Sequence, residues 1–138
     1  MTRPLRLDSP DTFYHVLSRG NEKREIFHDE KDYLRFLEGM GKMVGRFKVK
    51  IHAYVLMNNH YHLLIRTQDA NLSRAIQWMG VNYSVWFNRR HERSGHLFQG
   101  RFKSFLIRSS PLKKASNWSY PVEIHGSLYI LVLRYVPM

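Results

Sequence analysis

The chain has 138 residues, one domain's worth, with 43% hydrophobic and 24% charged residues, an ordinary globular composition. It carries 22 Lys and Arg against 11 Asp and Glu, a net charge of +11, and no cysteine. That balance favours polyanions, nucleic acid first, and the missing thiol excludes disulfides, Cys-ligated zinc and a cysteine nucleophile.

Residues 1–12 form a loose basic lead-in with Pro4 and Pro10, and MTRPLRLDSPDTF has no signal-peptide hydrophobic region. No apolar run reaches membrane-span length, so the expectation is a soluble cytoplasmic protein, nucleoid-associated, with no membrane partner. Phe13–Arg19 alternates as a first strand, and Gly20-Asn21 breaks it. His15 has no partner at useful sequence spacing and reads as packed or hydrogen-bonded rather than as a ligand. Asp29 or Asp32 caps a helix running to about Gly45, with Tyr33, Leu37, Met40 and Val44 as its apolar stripe.

Ile51–Met57 and His60–Arg66 read as two strands joined by Asn58-Asn59, residues that tolerate the positive φ of a two-residue hairpin turn. His60 and His62 are two apart, so both rings share a sheet face, with Cα atoms about 7 Å apart. Both imidazoles can therefore converge on one divalent ion. Tyr61, between them, faces the other way.

A second helix fits Leu72–Arg90, with Asn71 as N-cap and Leu72, Ile76, Met79, Tyr83 and Phe87 as its stripe. That stripe makes Tyr83 a core residue before a nucleophile, while Trp78 and Trp86 lie off it, free to cover a sheet or meet DNA. A run of basic residues follows: Arg89, Arg90, Arg93, Arg101, Lys103 and Arg108, against the single acid Glu92. Within it a last strand, Phe102–Ile107, sets Arg101, Lys103 and Phe105 on one face. Residues 108–127, RSSPLKKASNWSYPVEIHGS, show no period.

Strand, helix, strand, strand, helix, strand is the split βαβ order of a ferredoxin-like α+β domain. It implies an antiparallel sheet with two helices on one face, here followed by an atypical C-terminal tail. The chain divides into residues 1–107 and 108–138.

Three stretches, HVLSRGNEKREIF, AYVLMNNHYHLLI and GHLFQGRFKSFLI, resemble, in order and spacing, the REP-associated tyrosine transposases and their insertion-sequence relatives. These are HUH single-tyrosine nucleases, and His60-Tyr61-His62 matches the motif that names them. The resemblance covers about Phe13 to Ile107. It implies a catalytic domain over 1–107, then a divergent linker and truncated tyrosine helix over 108–138. LYILVLRYVPM would begin that helix, with Tyr135 as nucleophile and Tyr129 pointing elsewhere. It further implies Mg²⁺ or Mn²⁺ on His60 and His62, and single-stranded or hairpin DNA as substrate. Nicking and strand transfer would pass through a covalent 5′-phosphotyrosine with a free 3′ hydroxyl leaving, in a monomer or homodimer.

Arg66, Arg89, Arg90, Arg101 and Lys103 are then the expected phosphate contacts. The family's third metal ligand, an amide one helical turn past the tyrosine, would fall beyond Met138. Gln68 and Asp69 are the conceivable substitutes. The alternative expectation is a catalytically impaired remnant that holds hairpin DNA without cutting it.

Overall fold

The computed structural model describes residues 8–107, together with the backbone of residues 123–125 and 128–132. Its elements are β1 (Thr12–Arg19), a 3₁₀ turn (Asn21–Lys23), α1 (Glu30–Phe47), β2 (Val49–Met57) and β3 (His60–Thr67). α2 (Leu72–Arg90), β4 (Lys103–Ile107), β5 (Glu123–His125) and β6 (Leu128–Val132) follow. The strands make one antiparallel sheet in the order β4-β1-β3-β2-β6-β5. Its first four strands have the expected ferredoxin-like α+β arrangement.

Strand alternation decides which face each helix covers. Tyr14 and Val16 of β1, Leu56 of β2, and Tyr61, Leu63 and Ile65 of β3 are buried on one face. They meet Phe36, Met40 and Met43 of α1 and Ile76, Met79 and Tyr83 of α2 in a single core. Phe36 is the hub: its ring lies 5.3 Å from Phe27, 5.0 Å from Tyr61 and 5.2 Å from Tyr83. Edge-on packing of this kind adds to burial. The stripe of α2 is buried as read, whereas in α1 Phe36 and Met43 replace Leu37 and Val44, which are half-buried.

The helix ends are satisfied in two different ways. Asp29 accepts from the Asp32 amide at 3.1 Å and caps α1, leaving Asp32 fully buried inside the first turn. Asn71 occupies the N-cap position of α2 without capping it. Its side-chain amide donates to Phe47 O at 2.9 Å, and the first turn is held instead by Asp8, which accepts from the Ser73 amide and hydroxyl. A carboxylate from the lead-in thus supplies the negative group that a helix start favours.

The hairpin also differs from its sequence reading. Neither Asn58 nor Asn59 has positive φ. The turn is braced from outside: Asn58 O accepts from the Ile26 and Phe27 amides and Asn59 O from the Gly20 amide, at 2.7–3.1 Å. Gly20 is needed for the turn that follows it, because a Cβ there would sit 2.0 Å from Arg24 O.

The tail departs from expectation as well. Leu128–Val132 was expected to begin a helix and is instead a strand, paired with β2 through Ala53↔Val132 to Leu56↔Tyr129. A β-branched and aromatic run beside an unpaired sheet edge satisfies its backbone by joining that edge. Tyr135 lies outside the described residues.

Candidate functional site

The sheet face opposite the helices carries the two histidines. His60 and His62 are half-buried and Tyr61 between them is turned into the core. Register sets their neighbours: Met57 and Arg19 flank His60, Val55 and Leu17 flank His62. The two rings stand 5.2 Å apart, edge to face.

Both imidazoles are engaged through Nδ1. His60 Nδ1 donates to Asn59 Oδ1 at 2.7 Å, which leaves Nε2 its lone pair. His62 Nδ1 lies 2.9 Å from His15 Nε2, and those two rings stack at 5.2 Å. Burial first, then the nearby His15 and His60, hold the His62 imidazole below its ordinary pKa and favour the neutral, ligand-competent form. Two imidazoles suit a borderline divalent ion better than the oxygen-seeking Mg²⁺ or Mn²⁺, which would need oxygen ligands besides. Gln68 and Asp69 do not complete the set. They lie six and seven residues beyond His62 along the strand direction, about 20 Å away on strand geometry.

The basic candidates separate into groups. Lys103 pairs with Leu17 and Phe105 with His15 across β1–β4, so both belong to the histidine face, and Phe105 is exposed. Arg101 is exposed just before β4, and Arg89 is exposed at the end of α2, on the helix layer. Arg66 shares the histidine face but stacks on Phe13 at 5.3 Å and pairs with Asp11.

Arg90 is committed elsewhere. Its Nη1 donates to Asp29 Oδ1 at 2.7 Å and Asp32 Oδ1 at 2.6 Å, and Nη2 to Asp29 Oδ2 at 2.7 Å. A guanidinium bound by two carboxylates is not free for a phosphate, so the expected contact at Arg90 is withdrawn.

The tyrosines are sorted by burial. Tyr83 is 3% exposed, donates to Ile26 O, and has its pKa raised by burial. Tyr61 is likewise raised by burial. Neither phenol can reach a solvent-borne phosphate.

Sequence reasoning missed three residues of this face. Arg19 lies beside His60 and donates to Gln99 Oε1 at 2.9 Å. His15, read as packed or hydrogen-bonded rather than as a ligand, is hydrogen-bonded, and the sequence did not show that its partner is His62. His52 is inserted by a β-bulge between Ile51 and Ala53, with its ring 5.3 Å from Phe13 and a buried, unpartnered Nε2. The period of FYHVLSR already placed His15 on an alternate face. Only the β1–β3 register shows that this is the face of His62.

One further donor cluster, His28, Asp32 and His91, lies on the helical side, each offering an atom within 4.8 Å of the others. No described helix is long and apolar enough to cross a membrane.

A family model described as "Transposase IS200 like" matches residues 9–118. No curated protein matches the chain in sequence. Among solved structures, a REP-associated tyrosine transposase bound to a REP hairpin is similar at a TM-score of 0.64 and 15% identity, over 83% of this chain and 67% of that one. A candidate transposase from Deinococcus radiodurans R1 gives 0.58 and 12%, over 83% and 91%. The tRNA(His) guanylyltransferase of Saccharomyces cerevisiae gives 0.51 and 12%, over 81% and 58%. At these identities the likeness is one of fold.

Proposed function

The chain belongs to the IS200-like transposase family, and from that premise we propose that it nicks single-stranded or hairpin DNA and transfers the strand. The observation that supports this reading is the pair of half-buried imidazoles, His60 and His62, on an open sheet face with both Nδ1 atoms engaged. Hairpin DNA is the proposed substrate because a fold relative holds a REP hairpin. A divalent cation on the two Nε2 atoms would polarise the scissile phosphate.

The chain's own residues supply the rest. Arg19, Arg101 and Lys103 hold backbone phosphates, Arg89 meets DNA that extends past the sheet end, and Phe105 offers a stacking surface. His15 fixes the His62 ring, and the ligating tautomer is the one whose Nδ1 donates to His15 Nε2. Tyr135 is the proposed nucleophile: its oxygen forms a bond to the 5′ phosphorus as the bond to the 3′ oxygen breaks and a 3′ hydroxyl leaves. The catalytic unit is proposed to span 1–107, with 108–138 delivering the tyrosine.

A hairpin oligonucleotide labelled at its 3′ end, incubated with the full chain and Mn²⁺, tests this. A covalent adduct that is lost in Tyr135→Phe and in His60→Ala supports the reading. Adduct that survives Tyr135→Phe moves the nucleophile, and no adduct with the intact chain removes the cleavage activity.

A second reading is a hairpin binder without cleavage. It is favoured by the strand at Leu128–Val132, where the family's tyrosine helix was expected. It predicts salt-steep binding that persists without metal and after His60→Ala.

A further inference from the structure

The chain enters α1 and leaves α2 at one point on the helical side of the sheet, and the residues gathered there have their own ligand chemistry. Asp32 is fully buried. Its carboxylate accepts from the His28 amide at 2.8 Å and from Arg90 Nη1 at 2.6 Å, and His91 Nε2 lies 2.9 and 3.0 Å from its two oxygens. The His28 ring is exposed and leans on His91, centroids 4.4 Å apart. Among the described residues no hydrogen bond is made by its ring nitrogens.

Arg90 bridges the carboxylates of Asp29 and Asp32 at the start of α1, and Asp32 also faces the His91 imidazole. Buried carboxylates require compensation: Arg90 donates to Oδ1, the His28 amide to Oδ2, and His91 Nε2 lies against both oxygens.

We propose that His28, Asp32 and His91 bind one transition-metal cation of the Zn²⁺ class, separate from the histidine pair on the open face. Two imidazoles and one carboxylate select borderline ions over Mg²⁺ or Ca²⁺, which prefer all-oxygen sites. Tetrahedral zinc with bonds of about 2.0–2.2 Å spaces its ligand atoms about 3.4 Å apart. Asp32 and His91, now 2.9–3.0 Å apart across a hydrogen bond, have to part by about 0.5 Å to admit the ion. His28, within 4.8 Å of the other two ligand atoms, has to close by up to about 1.4 Å, which rotation of an exposed side chain allows, and its exposure gives the ion a path from solvent. The ion replaces a proton between His91 and Asp32, its fourth position faces water, and it ties the first turn of α1 to the last turn of α2.

The test is zinc binding by equilibrium dialysis on the tag-free full chain, with thermal melting and the visible spectrum of the Co²⁺ form. Comparison of wild type with His60→Ala/His62→Ala separates the two candidate sites. The double variant should still bind one zinc, melt higher with it, and give a tetrahedral Co²⁺ spectrum. His28→Ala should weaken that binding by at least about tenfold, while melting like wild type without metal because the ring is exposed. Zinc bound equally well by the double variant with and without His28→Ala overturns the proposal. So does the absence of any zinc bound by the double variant. None of these outcomes depends on cleavage, which fails or survives separately with His60 and Tyr135.

Discussion

The bond between His15 and His62 sets the sharpest quantitative expectation. His15→Phe keeps a flat ring against His62 and Phe105 but removes the only protein partner described for His62 Nδ1. A metal-ligating imidazole without its second hydrogen bond loses orientation and its fixed tautomer, which costs about 10–100-fold in metal affinity. The bond is 2.9 Å long, but only one of the two proposed ligands is loosened, since His60 keeps Asn59. The expected loss is therefore near the lower end, about tenfold or 1.4 kcal/mol. Adding Asn59→Ala frees the second ring and should bring the total toward a hundredfold. Titration of the tag-free chain with Mn²⁺, following free ion by electron paramagnetic resonance, measures both steps. Affinities within about twofold of wild type for both variants would refute the orientation argument.

Three other outcomes are expected. Phe36→Ala empties the hub of the core and should cost about 3–5 kcal/mol in urea denaturation, whereas a loss below about 1 kcal/mol would mean the site collapses freely. Asp29 is held down to about 2, first by its hydrogen bond to Arg90. A depressed carboxylate stabilises above its ordinary value near 4, and that contribution disappears as pH falls from about 4 to about 2. Because the Asp29 side chain is 48% exposed, screening limits the effect to less than about 1 kcal/mol, read as the gap between wild-type and Asp29→Asn melting curves closing in that window. Lys103→Ala and Arg19→Ala should each lower the salt slope of hairpin-DNA binding by about one ion, and unchanged slopes would take these two residues off the DNA path.

Local pattern carried most of the architecture. The period-two alternation of FYHVLSR and HYHLLIRT and the α2 stripe foretold both strands, the helix and the inward turn of Tyr61. What local pattern cannot hold is partnership across the chain. Asp29 and Asp32 looked like rival caps, and Arg90 like one more cation. Their ion pair spans about sixty residues and exists only once α1 packs on α2. The same limit hid the His15–His62 bond, 47 residues apart. At Leu128–Val132 the error was of another kind. An apolar run fits either helix or strand, and a free sheet edge decided between them.

The Gly20 contact bears on how the histidine face comes into being. Besides Gly20 N to Asn59 O, Asn21 N reaches Leu97 O and Gln99 N reaches Arg19 O, so segments about forty and eighty residues apart close on one corner. Such long loops pay their closure entropy late. The corner should be among the last parts of the molecule to order, and no fragment ending before Gln99 can assemble it. Hydrogen exchange at the amides of Gly20, Asn21 and Gln99 would report its opening directly.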